Sequence, residues 1–135
     1  YTFCKEERLC RKEGFEELLS SGYSFVSYPL RVVIRLYPRE EKDFPARIAV
    51  SVSKRRFKRA VKRNRVKRLI REAYRLNKNI LYSYISEDKT MDVLFIYLHD
   101  EIFEYGKIEK AITGAIKKIR NYIEKDSGGD IADTH

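Results

Sequence analysis

From Lys54 to Arg75 the chain reads KRRFKRAVKRNRVKRLIREAYR, a window holding 12 basic residues and a single acid, Glu72. It carries +11 of a chain whose formal total is +9, so the remainder is slightly acidic. A segment this charged cannot be buried on all sides, because unpaired charge is costly to remove from water. Its apolar residues nevertheless keep a register. At ~100° per residue, Val66, Leu69, Ile70 and Ala73 fall on one stripe, while Asn64, Lys67, Arg68, Arg71 and Arg75 gather on the opposite one. Both properties are met by a helix that packs one face on a domain and presents the other. Ordinary solvated faces mix signs so that pairs at i, i+4 offset one another, and this face has almost no acids to do so. A polyanion relieves its self-repulsion, which makes nucleic acid the expected partner.

The flanking segments indicate what that helix packs on. Arg47 to Ser53 (RIAVSVS) alternates cleanly, sending Ile48, Val50 and Val52 to a core and leaving Ala49, Ser51 and Ser53 as a low face with room for a ligand. Upstream, YSFVSYPLRVVIRLY is rich in β-branched and aromatic residues, interrupted by Pro29 and stopped by Pro38. That suits an edge or broken strand followed by a longer one, with Leu30, Val32, Ile34 and Leu36 on one side and Arg31, Val33 and Arg35 on the other. Leu9, Phe15, Leu18 and Leu19 predict a first helix over Lys5 to Ser20, and Arg39 to Pro45 reads as a loop. The basic helix is expected to end at Asn77 or Asn79, with Asp88 to Asp92 a polar connection and DVLFIYLH a buried strand. Ile108, Ala111, Ile112, Ala115, Ile116, Ile119 and Ile123 predict a closing amphipathic helix over Tyr105 to Lys125.

The expected fold class is therefore α+β: a single-domain sandwich of three helices packed on a small central mixed β-sheet, with the basic helix between the last two strands. With 135 residues and 43% hydrophobic content the chain can bury one core, assigned to residues 1–125. The DSGGDIADTH tail, residues 126–135, offers little to bury and is expected to be disordered.

Several function classes are disfavoured. No apolar stretch approaches the ~20 residues of a membrane span, and nothing at the start resembles a cleavable signal peptide, so a cytoplasmic location is the default. Cys4 and Cys10, six positions apart, match no zinc pattern and are expected to be ordinary thiols. His135 lies in the tail, and His99 has no second histidine to work with. Glycines at 14, 22, 106, 114, 128 and 129 are too scattered for a phosphate-cradling loop. Asp92, Asp100 and Glu101 flank one strand and read as solvated loop residues rather than a nuclease's carboxylate cluster. The chain supplies binding residues without a catalytic or metal-ligating set.

At Ala60 to Arg71, AVKRNRVKRLIR, the chain resembles the protein subunit of bacterial ribonuclease P, which carries an Arg-Asn-Arg signature on a helix after a strand ending in Val-Ser-Lys-Lys or similar. Here the signature is Arg63, Asn64 and Arg65, followed by Lys67, Arg68 and Arg71, and preceded by Val52, Ser53, Lys54 and Arg55. The likeness extends to Arg8, Leu9 and Phe15 to Gly22 and to Asp92 to Tyr97, leaving only the tail outside it. The resemblance implies a protein that binds a large catalytic RNA, through Lys58, Arg59, Arg63, Asn64, Arg65, Lys67, Arg68 and Arg71, and assists removal of the 5′ leader from precursor tRNA. On the same resemblance the RNA is expected to perform the hydrolysis with Mg2+, the protein alone being non-catalytic. It further implies a cleft for the single-stranded leader, here assigned to Phe15, Ser51, Arg55, Phe95 and Tyr97, and a monomer in a 1:1 complex with the RNA. Two departures stand out: Arg56 to Arg59 contain no glycine where the family often has one, and no basic residue follows the later strand. The competing readings are a ribosome-associated or other general RNA- or DNA-binding protein, and an autonomous nuclease.

Overall fold

The computed structural model describes residues 22–38 and 45–127. The predicted first helix, with Phe15 and both cysteines, and residues 128–135 of the tail lie outside the described residues. Along the chain run strands β1 (Tyr23–Ser27), β2 (Leu30–Pro38) and β3 (Ala46–Ser51), helix α1 (Ala60–Tyr82), strand β4 (Lys89–Tyr97) and helix α2 (Tyr105–Ser127). The strands form one mixed sheet in the order β1-β2-β4-β3. β1 and β2 make an antiparallel hairpin about Tyr28 and Pro29, β4 pairs antiparallel with β2, and β3 pairs parallel with β4. The class and the position of the basic helix between the last two strands are as the sequence implies.

One sheet face carries the main core. Leu30, Val32 and Ile34 of β2, Ile48 and Val50 of β3, and Met91, Val93, Phe95 and Tyr97 of β4 meet both helices there. α1 contributes Val66, Ile70, Ala73, Tyr74 and Leu81, and α2 contributes Ile108, Ile112, Ala115 and Ile119. Each fully buried aliphatic side chain in this layer stabilises by ~1.5–3 kcal/mol. At Gly114 a Cβ would lie 3.1 Å from Ser27 Oγ, so the small residue lets α2 approach β1 closely enough for that hydroxyl to donate to the Ala111 carbonyl at 2.7 Å.

Several boundaries differ from the sequence expectation: β3 ends at Ser51 rather than Ser53, α2 runs to Ser127, two residues into the expected disordered tail, and the larger changes are in α1 and β4. α1 continues past Asn77, whose side-chain amide donates to the Ala73 carbonyl at 2.8 Å and so bonds within the helix instead of ending it. Leu81 is fully buried in the last turn, and Ser83 closes the helix by donating its amide to Asn79 at 3.1 Å. β4 begins at Lys89, so Thr90 and Asp92 lie within the strand and are buried at 0% and 4% exposure. Asp92 is no solvated strand end. It accepts from Tyr37 Oη at 2.7 Å and from Arg47 Nε at 3.0 Å, and these bonds replace the water it gives up.

Candidate nucleic-acid interface

The basic helix starts without glycine because Ser53 folds the turn. Its carbonyl accepts from the amides of Arg56 at 3.2 Å and Phe57 at 3.1 Å, and its Oγ accepts from the Arg55 amide at 3.0 Å. Phe57, 5% exposed, anchors the turn against Tyr97 with ring centroids 6.0 Å apart. Arg59 then caps α1 in an extended conformation, with no side-chain cap and no acid in the first turn. Lys58, Arg59 and Lys62 therefore sit at the positive end of the helix dipole, where cations are unfavourable in a free protein and anions are attracted. Local rules of this kind are broken where function requires it, and an anion bound at this end would offset the cost.

Lys58, Arg59, Asn64, Arg65 and Arg68 are exposed, and Lys67 and Arg71 half-buried, so the predicted outer face of α1 forms. Arg63 differs. It is half-buried and spends Nη1 on the carbonyls of Phe57 at 2.9 Å and Lys58 at 3.0 Å, so it buttresses the turn that presents its neighbours. Two open grooves flank this face. One, of ≈ 330 Å³, is lined by Asn64, Arg68, Arg71, Glu72 and Arg75; the other, of ≈ 430 Å³, runs past Arg56, Lys58, Arg59 and Lys62 to Asp100 and Ile102. The lone acid is answered within its own turn: Arg75 bonds Glu72 bidentately at 3.1 and 2.5 Å and holds its carboxyl below the usual range, chiefly through those hydrogen bonds. Lys62 joins this surface although it is not among the expected contact residues, a cation in the first helical turn being the available signal, and Arg56 of the glycine-free turn lies beside it.

The residues assigned to the leader do not share a surface. Ser51 pairs with Ile96, while Val50 pairs with Phe95, so Phe95 and Tyr97 point to the helix side and Ser51 to the other. Phe95 packs on Tyr74 at 6.0 Å and Tyr97 on Phe57, at 1% and 0% exposure. Rings enclosed in the core offer no face to an RNA base, which corrects their assignment. Arg55 is exposed in the turn after β3, and Phe15 is outside the described residues. The face that Ser51 does occupy holds Ala49, Ile96, Val33 and Leu94, with Arg31 and Arg35 on β2 and the Arg47–Asp92 pair beside Tyr37. The alternation of β2, which sent Arg31 and Arg35 away from the core, was the sequence signal for this arginine row. Among the described residues no three His, Cys, Asp or Glu side chains gather as a metal-ligating group, and no helix is long and apolar enough to cross a membrane.

A four-stranded mixed sheet backed by two helices, one presenting unbalanced positive charge beside open grooves, defines a small nucleic-acid-binding α+β protein. The family model for ribonuclease P matches residues 3–120. The ribonuclease P protein component of Porphyromonas gingivalis is 41% identical over 116 residues, covering 85% of this chain and 84% of that protein. That of Dictyoglomus turgidum is 42% identical over 94 residues, covering 70% and 71%. Among solved structures, the Staphylococcus aureus RNase P protein superposes with a TM-score of 0.64 at 22% identity, covering 84% of this chain and 94% of that one. The Thermotoga maritima protein gives 0.63 at 22%, covering 83% and 96%. The chain belongs to the ribonuclease P protein family. Membership makes it a subunit of a ribonucleoprotein endoribonuclease that acts in tRNA processing, with the ribonuclease P RNA as its partner.

Proposed function

We propose that this subunit docks on the catalytic RNA through the outer face of α1 and holds the single-stranded 5′ leader of precursor tRNA on the far face of its sheet. Lys58, Arg59, Asn64, Arg65, Lys67, Arg68 and Arg71 contact the RNA backbone, with Asn64 giving a directional bond, and Arg63 keeps their turn in shape. On the other face Ala49 and Ser51 leave space, Arg31 and Arg35 bring positive charge, and Arg55 stands at the strand's end. A surface of small residues and arginines follows a phosphate backbone without selecting bases, which suits leaders of differing sequence. The RNA carries out hydrolysis with Mg2+, and the assembly holds one copy of the protein per RNA in the cytoplasm.

The observation that carries this reading is the in-register basic face of α1, where a single acid is already paired within the helix. The direct test is cleavage of a precursor tRNA at low Mg2+ by the cognate catalytic RNA, with and without the protein. Site-specific leader release that needs both is expected, and Arg65→Ala or Arg68→Ala should weaken assembly and lower the salt slope of binding by about one. RNA binding without any stimulation of cleavage would instead support a general nucleic-acid-binding protein. Cleavage by the protein and Mg2+ alone, in an RNA-free preparation, would mean an autonomous nuclease.

A further inference from the structure

A third surface lies at one end of the domain, apart from the outer face of α1 and the far face of the sheet. Because β3 and β4 run parallel, their C-terminal ends meet there, together with the β1–β2 turn and the first turns of both helices. Tyr28 stands on that turn at 58% exposure. Its hydroxyl bonds His99 Nδ1 at 2.8 Å, and its ring stands edge-on to His99 and to Phe103, with centroids 6.0 and 6.2 Å away. His99 and Phe103 are themselves stacked, 4.3 Å apart and 17° from parallel, and Lys107 Nζ lies 4.8 Å from the Phe103 ring centre.

The support beneath these rings is rigid. The Leu98 amide donates to the Pro29 carbonyl at 2.8 Å, which ties the turn to the end of β4. Tyr97, fully buried, donates through Oη to the Glu101 carbonyl at 2.8 Å and accepts from the Phe103 amide at 3.0 Å. Three rings held at the solvent boundary with an ammonium beside them supply what an unpaired nucleotide needs: π surface for the base and a cation for its phosphate. The ≈ 430 Å³ groove from the start of α1 ends at Asp100, Glu101 and Ile102, next to this shelf, so a strand leaving Lys58 and Arg59 has a path to it. Of the two acids on that path, Asp100 pairs with Arg56 at 2.8 Å, and Glu101 is outweighed by Arg56, Lys58, Arg59 and Lys62 along the same groove.

We propose that Tyr28, His99, Phe103 and Lys107 form a stacking site for one unpaired RNA nucleotide, reached along the groove at the start of α1. The inference rests on the ribonuclease P reading and adds to it a contact made by stacking rather than by charge.

The nucleotide can come from the catalytic RNA or from the substrate, and one set of titrations separates them. The unaltered chain, Tyr28→Ala, Tyr28→Phe and Lys107→Ala are titrated with catalytic RNA alone, and the assembled complexes with precursor and with mature tRNA, over a range of salt. Tyr28→Ala should lower affinity roughly 5- to 100-fold with the salt slope unchanged, because a stacked base contributes no counterion release. Lys107→Ala should lower the slope by about one, and Tyr28→Phe, which keeps the ring and loses only the bond to His99, should recover most of the affinity that Tyr28→Ala loses. A loss confined to catalytic RNA places the nucleotide there; a loss confined to precursor or shared with mature tRNA places it in the substrate. If Tyr28→Ala binds every RNA normally while Arg68→Ala does not, the stacking site is refuted and the family function stands. If the unaltered chain fails to bind catalytic RNA at all, both readings fall together.

Discussion

The guanidinium of Arg63 is bonded to the main-chain carbonyl of Phe57, 2.9 Å away and six positions back in the chain. Phe57 is itself clamped under Tyr97, so the first turns of α1, the loop before it and the end of β4 form one mechanical unit. Arg63 and Arg68 thus differ in role despite lying five positions apart on the same helix.

Arg63→Ala should lower stability by about 1 kcal/mol, because two carbonyls lose a charged donor and the glycine-free turn loses its brace. Arg68→Ala, exposed and outside that turn, should leave the melting temperature unchanged while weakening RNA binding. Thermal melts of the two variants check this; equal melting temperatures would return Arg63 to the RNA-contact set.

Asp92→Ala should destabilise the sheet by about 2 kcal/mol. It strips the partner from Arg47 and from the Tyr37 hydroxyl, but the Arg47 side chain keeps 25% exposure and recovers some hydration, which holds the loss below that of a fully buried pair. Asp92→Asn, which retains an acceptor, should fall between. Urea midpoints at constant m-value measure both, and an unaffected Asp92→Ala midpoint would mean the pair is energetically idle.

Alkaline stability should report on Tyr97. Burial pushes its phenol above the usual range, against a smaller opposing effect of the Phe103 amide. The unfolded chain therefore releases the proton first, so this contribution is intact below pH of about 10 and is lost as pH rises through the folded value. Tyr97→Phe should cost about 1 kcal/mol near neutrality, through the lost bonds to Glu101 and Phe103, yet show a flatter decline above that pH. Chemical denaturation of both chains across that range decides it, parallel declines counting against the assignment.

Much of the architecture was legible because its signals are local. The face of α1 could be read because charge and apolar character alternate with a period near 3.6 within one segment, and β2 because Arg31 and Arg35 interrupt a strand of aliphatic residues. β4 defeated the same logic. As an inner strand it is buried on both faces, with Leu94 and Phe95 at 0% and 1% exposure, so no alternation tells which side Phe95 and Tyr97 take. Parity there is set by the pairing of Val50 with Phe95, a long-range fact. The burial of Asp92 was hidden for the same reason, since its partners Arg47 and Tyr37 lie 45 and 55 positions away.

Asp100→Asn should strengthen RNA binding modestly, by about twofold at low salt, because Arg56 would be released into the groove at the start of α1. The gain should fade as salt is raised, both partners being solvent-accessible at 35% and 74% exposure. Titrations at two ionic strengths test this, and a gain that persists at high salt would point to some cause other than the ion pair.

The strand order carries a consequence for synthesis. β4 fills the gap between β2 and β3 yet follows α1 in the chain, so neither the hairpin nor β3 has its inner neighbour until residues 89–97 have been made. A chain emerging from its N-terminus presents the charged segment before the strand that completes its platform has emerged. For that interval the most cationic stretch of the molecule is available to nucleic acid while its apolar stripe is still open to water. The segment with the highest positive charge is thus one whose apolar stripe waits for its inner strand, so charge and platform come together only when the sheet closes.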